Sequence, residues 1–137
     1  MAFTGLLRPS DLDGTNGFRI VGAPAGALLG RSVAAAGDVN GDGLADLVVG
    51  ASFADTANGA ATGAAYVIFG REGGFGTALD LAGLDGANGF RIDGLSPGDQ
   101  TGLALAGAGD VNGDGLDDLV IGAPFAAPGG RTAAGSS

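Results

Sequence analysis

The sequence predicts an all-β protein assembled from propeller blades, four-stranded antiparallel sheets of which this chain supplies about two. Three observations lead there. Residues 12–22 (LDGTNGFRIVG) recur at 84–94 (LDGANGFRIDG) with nine of eleven positions identical, and residues 36–51 recur at 108–123 with fourteen of sixteen, both offset by 72 residues. A fixed period that long marks an architecture of repeated supersecondary units. Within one period four short β-like runs can be placed, and four strands are the unit of a propeller blade. Finally, 30 glycines and 5 prolines in 137 residues would suggest low complexity on their own. Set against 45% apolar residues and recurring at fixed positions, they read as turn punctuation between strands.

In chain order, the first β-like run is residues 17–21, GFRIV, which matches the later run 89–93. In the later run, alternation puts Phe90 and Ile92 on one face and Arg91 on the other, and Phe18, Ile20 and Arg19 divide the same way. These arginines read as a solvated face or as partners of a nearby Asp. The first full period places strands at 32–35, 47–50, 64–69 (AAYVIF) and 89–92, while residues 54–63 and 71–77, rich in Ala, Thr and Gly, read as surface loops. The second period repeats the first two strands. The counterpart of 64–69 would fall at 136–141, so the second blade is expected to lack its third strand, and the tail 127–137 is expected to be unordered.

Between the first two strands of each period stands the most informative stretch, residues 38–46 (DVNGDGLAD) and 110–118 (DVNGDGLDD). Oxygen-bearing side chains fall at alternate positions: Asp38, Asn40, Asp42 and Asp46, then Asp110, Asn112, Asp114 and Asp118. Calcium takes six to eight oxygens at about 2.3–2.6 Å, and a curled loop supplies them from its positions 1, 3, 5 and 9 together with a backbone carbonyl at position 7. Leu44 and Leu116 hold that seventh position. Gly41 and Gly43, with Gly113 and Gly115, permit the positive φ such a curl needs. An EF-hand loop opens with the same pattern but carries a bidentate Glu at its twelfth position, where this chain has Val49 and Ile121. Each loop runs instead into an apolar, β-branched stretch, DLVVGA or DLVIGA, and so into a strand. The plain alternative is an Asx-rich turn that binds nothing.

Charge and composition narrow the function. Seven of the fifteen acidic residues, Asp38, Asp42, Asp46, Asp110, Asp114, Asp117 and Asp118, lie in the two loops, so the net charge of −9 is local and ion-directed. With six scattered arginines and no lysine, a nucleic-acid partner has no electrostatic footprint. Without Cys or His there is no disulfide frame, no thiolate or imidazole metal site and no Ser-His or Cys-His nucleophile pair. Ser32, Ser52 and Ser96 have no base partner, and no pair of acids is set for acid-base work, so no catalytic residue is expected. No apolar run reaches the length of a membrane span. The opening residues 1–11 lack the basic start and apolar core of a signal peptide.

With the loop-and-strand motifs DVNGDGLADLVVGAS and DVNGDGLDDLVIGAP, and with AAYVIFG ending in Phe69 and Gly70, the chain resembles the FG-GAP repeats of integrin alpha-chain β-propellers and of similar bacterial surface and secreted proteins. The resemblance implies a loop that joins the first two strands of each blade and holds calcium on one rim. Two Ca2+ sites follow by position, one from Asp38, Asn40, Asp42, Leu44 and Asp46, the other from Asp110, Asn112, Asp114, Leu116 and Asp118. One departure is Ser52, which stands where the family usually has proline. The implied divisions are 1–28, the last strand of a preceding blade with a linker; 29–100, a complete repeat; and 101–137, a truncated one. Ring closure would then draw on other blades of a longer chain or on further copies, with residues 17–21 able to complete a partner's last blade. The implied function is adhesion or recognition of a protein or glycan ligand at the cell surface or outside the cell. Alternatives are a calcium-stapled spacer, or the accessory propeller of a secreted enzyme such as a phospholipase D.

Overall fold

The computed structural model describes residues 5–137, so part of the N-terminal stretch read above for a signal peptide and for the first division, residues 1–4, lies outside the described residues. Eight strands follow in order: β1 (Arg19–Val21), β2 (Leu29–Gly37), β3 (Asp46–Ala51), β4 (Ala64–Ile68), β5 (Ala78–Asp80), β6 (Gly89–Asp93), β7 (Ala104–Gly109) and β8 (Asp118–Gly122). Strands β2, β3, β4 and β6 form one antiparallel meander, the expected blade. Strands β7 and β8 pair as the first two strands of the next blade.

The central blade is buried on both faces, which is why DLVVGA and AAYVI are almost continuously apolar instead of alternating. Cross-strand neighbours Val49 and Tyr66, and Ala51 and Ala64, point to one side with Ile68 and Leu81. Ile20 of β1 and Leu79 of β5 cover that side. Val48, Ala65 and Val67 point to the other, where Phe90, Leu105, Leu119 and Ile121 close over them. Three of these contacts come from the second blade, so the repeated sheets pack face on face. Full burial of Val48, Val67 and Ile68 contributes roughly 1.5–3 kcal/mol each. Alanine and glycine allow the sheets to approach: a Cβ on Gly107 would lie 2.5 Å from the Ala35 carbonyl, and one on Gly50 would strike the Gly102 carbonyl.

Two details differ from the sequence reading. Strand β5 lies in a region where no strand is expected, and β1 pairs with it in parallel, Ile20 opposite Leu79. A three-residue segment without strong alternation carries no strand signal of its own; pairing to β1 defines it. The tail is ordered: a 3-10 turn at Pro128–Gly130 brings it back, and Ala123 and Ser136 exchange backbone hydrogen bonds at 2.8 and 3.0 Å. That bridge is the 72-residue counterpart of Ala51 opposite Ala64, the first pair between β3 and β4. Residues 54–63 form the loop read from the sequence, tied internally by the Thr56 and Thr62 hydroxyls 2.7 Å apart and to the residue after β6 by the Asn58 side-chain amide, which donates to the Gly94 carbonyl at 2.8 Å.

Candidate metal centre

Each DVNGDG loop links the first two strands of its blade, and the position-1 aspartate organises it. Asp38 Oδ1 accepts from the Gly41 and Asp42 amides at 2.8 and 3.0 Å, and its Oδ2 accepts from the Gly43 amide at 2.8 Å. Asn40 Oδ1 accepts from the Asp42 amide at 3.0 Å, and Asp42 Oδ1 from the Leu44 amide at 2.8 Å. The second loop repeats this bond for bond. Asp110 takes the Gly113, Asp114 and Gly115 amides at 2.7, 3.1 and 2.9 Å, Asn112 takes the Asp114 amide at 2.9 Å, and Asp114 takes the Leu116 amide at 2.9 Å. The amide of Gly115 leads in holding the Asp110 carboxyl below its ordinary value of 3.8; desolvation, the next largest effect, opposes it, and the amides of Gly113 and Asp114 add to the lowering. Gly41, Gly43, Gly113 and Gly115 all take the left-handed backbone, with φ of 79°, 83°, 78° and 90°.

The ninth position is where the two loops part. Asp46 is fully buried: its Oδ2 accepts from the Val39 amide at 2.8 Å and its Oδ1 from the Gly70 amide at 2.7 Å, tying the loop to the end of β4. Asp118 Oδ2 keeps the first bond, to the Val111 amide at 2.8 Å, and is partly exposed. The counterpart of Gly70 would be position 142.

All five predicted donors of each set thus lie in one loop, although among the described residues no group of three or more acidic side chains is arranged to hold an ion. The acids face backbone amides. Their chemistry still fits a hard cation. The set is oxygen alone, and an ionised carboxylate offers about four lone-pair sites. Asp38 uses three, while Asp42, with the Leu44 amide and Asn40 Nδ2, and Asp46 use two each, so each of these carboxylates keeps capacity.

The other repeated motif, LDGxNG, is structural. Asp13 and Asn16 bond each other's backbone, Asn16 Nδ2 donates to the Asp11 carbonyl at 2.8 Å, and Asp85 and Asn88 do the same around the Gly83 carbonyl. Its polar groups are taken up in closing the turn before β1 and before β6. Arg91 pairs with Asp93 at 2.7 Å, the local partner expected of it.

Sequence reasoning missed two participants, Gly70 and Asp117. Gly70 acts through its amide, which no residue type announces. Asp117 Oδ2 accepts from the Asp38 amide at 2.8 Å, joining the two loops across the blades. Its signal was present as one of the two differences between the copied segments, Ala45 against Asp117.

The FG-GAP repeat family matches this chain at residues 29–68 and 101–137, the two segments that carry the loops. Among curated proteins the chain is similar to integrin alpha pat-2 of Caenorhabditis elegans, 38% identical over 106 residues, which is 76% of this chain and 8% of that protein. It is 37% identical over 120 residues to integrin alpha-PS2 of Drosophila melanogaster, 85% of this chain and 8% of that protein. Mouse integrin alpha-7 is 40% identical over 88 residues, 64% of this chain and 7% of that protein. The chain therefore spans less than a tenth of the length of these relatives.

Proposed function

This chain belongs to the FG-GAP repeat family, and on that premise we propose that it is a calcium-binding β-propeller segment of an extracellular or cell-surface protein, serving adhesion or recognition of a protein or glycan ligand. The observation that carries the reading is the duplication of one loop, with the same oxygen-bearing residues at the same spacing and the same amide bonds to its first aspartate, at the same place in successive blades. Asp38, Asn40, Asp42, Asp46 and the Leu44 carbonyl would hold one ion, and Asp110, Asn112, Asp114, Asp118 and the Leu116 carbonyl the other. Calcium bound there neutralises neighbouring carboxylates and crosslinks the start of each blade.

Such a site needs no high affinity outside the cell, where modules of this kind bind calcium with Kd of about 10⁻⁴–10⁻³ M. The rigid sheets then present their connecting loops as the recognition surface. Residues 29–100 form one repeat and 101–137 the start of another, with 1–28 leading in from a preceding blade. Closing a ring takes about four to eight blades, and further blades, from a longer chain or from other copies, would complete it.

Thermal unfolding followed by far-UV circular dichroism, in chelator and then with calcium restored, tests the metal. Calcium at ten times its Kd adds about 1.4 kcal/mol per site, so the midpoint rises, and Asp42→Ala or Asp114→Ala each removes part of the rise. A folded sample whose midpoint ignores calcium would show the loops to be turns only.

A further inference from the structure

The first residue of the first loop is held from outside its own blade. The Asp38 amide donates to Asp117 Oδ2 at 2.8 Å, and the Asp38 carbonyl accepts from the Asp117 amide at 3.0 Å. One residue, 79 positions away, closes on both backbone polar groups of the aspartate that organises the loop. Gly37 makes the room, since a Cβ there would fall onto the Asp117 carboxylate. Leu116 completes the contact, its Cδ2 lying 2.9 Å from where a Cβ on Gly41 would be. The matching position in the first copy is Ala45, which has no carboxylate to offer. No comparable side chain reaches Asp110 among the described residues.

Resting on the calcium reading above, we propose that Asp117 is a positioning residue for the first calcium loop, a latch through which the second blade sets that loop's affinity. Asp117 is not among the loop donors, and its bonds fix the backbone from which the Asp38 carboxylate reaches the amides of Gly41, Asp42 and Gly43. Removing the latch leaves the Asp38 amide without its charged acceptor and lets the position-1 donor drift. A misplaced first donor weakens the whole set, because the remaining oxygens are spaced from it along one short loop. The effect is local to the first loop.

Calcium titration of the full chain followed by ¹H–¹⁵N NMR separates the loops, with the Gly43 amide reporting the first and the Gly115 amide the second. Asp117→Ala is expected to weaken binding at Gly43 about tenfold, the scale of a lost charge-assisted hydrogen bond, and to leave Gly115 within about twofold of the unaltered chain. Asp117→Asn retains an oxygen for the Asp38 amide and restores about half of the loss, as a neutral acceptor bonds about half as strongly as a charged one. Equal weakening at both loops, no change at Gly43, or no recovery in Asp117→Asn would overturn the latch alone. If calcium shifts neither glycine in the unaltered chain, the calcium reading falls and the latch falls with it.

Discussion

Asp46 should matter to stability whether or not an ion is present. Its carboxylate is fully buried and accepts two amides, from Val39 within its loop and from Gly70 beyond β4. Asp46→Ala leaves both donors without an acceptor in the space it vacates. Each amide left unpaired costs about 1–3 kcal/mol, so with two of them the substitution should destabilise the fold by about 2–6 kcal/mol. For a domain of this length, near 0.3 kcal/mol of unfolding free energy is lost per degree at the midpoint, which makes a drop of roughly 7–20 °C. Asp118→Ala is the internal control: among the described residues its carboxylate accepts the Val111 amide alone, and it is partly open to water, so about 1 kcal/mol is expected. Both variants are melted in excess chelator by far-UV circular dichroism, which removes any metal contribution from the comparison. Equal losses for the two, or a loss below about 1 kcal/mol for Asp46→Ala, would refute the account of Asp46 as a buried tie between the loop and β4.

Further outcomes follow from single residues. Ser52 is fully buried with a hydroxyl that has no partner among the described residues, so Ser52→Ala should raise stability by about 1 kcal/mol in a chemical-denaturation curve. Gly43→Ala meets nothing within 4 Å but forces a side chain to φ of +83°, so about 1 kcal/mol of stability is lost in chelator, and calorimetry should show weaker calcium binding as well. The amide of Gly115 leads those that lower the Asp110 carboxyl below its ordinary 3.8. A depressed folded value stabilises above the unfolded one and is lost as pH falls through the folded one, so melts below pH 3.8 should show a shallower acid slope for Asp110→Asn than for the unaltered chain.

The sequence by itself determined the repeat, the four-stranded blade, the alternating oxygen-bearing side chains of the loops and the glycines that wind them. All are local or periodic: a 72-residue offset, an alternate spacing of oxygens, and apolar stretches such as DLVVGA need no knowledge of distant contacts. The tertiary structure decided what depends on a partner. Strand β5 exists because β1 lies beside it, and Ser136 finds its place because Ala123 offers the bonds that Ala51 offers to Ala64. Asp117 reads in sequence as one more acid in an acidic loop. Only the stacking of one blade on the next brings it to the amide of Asp38, because that contact is set by the packing of Leu105, Leu119 and Ile121 on Val48 and Val67 and not by any spacing within the loop.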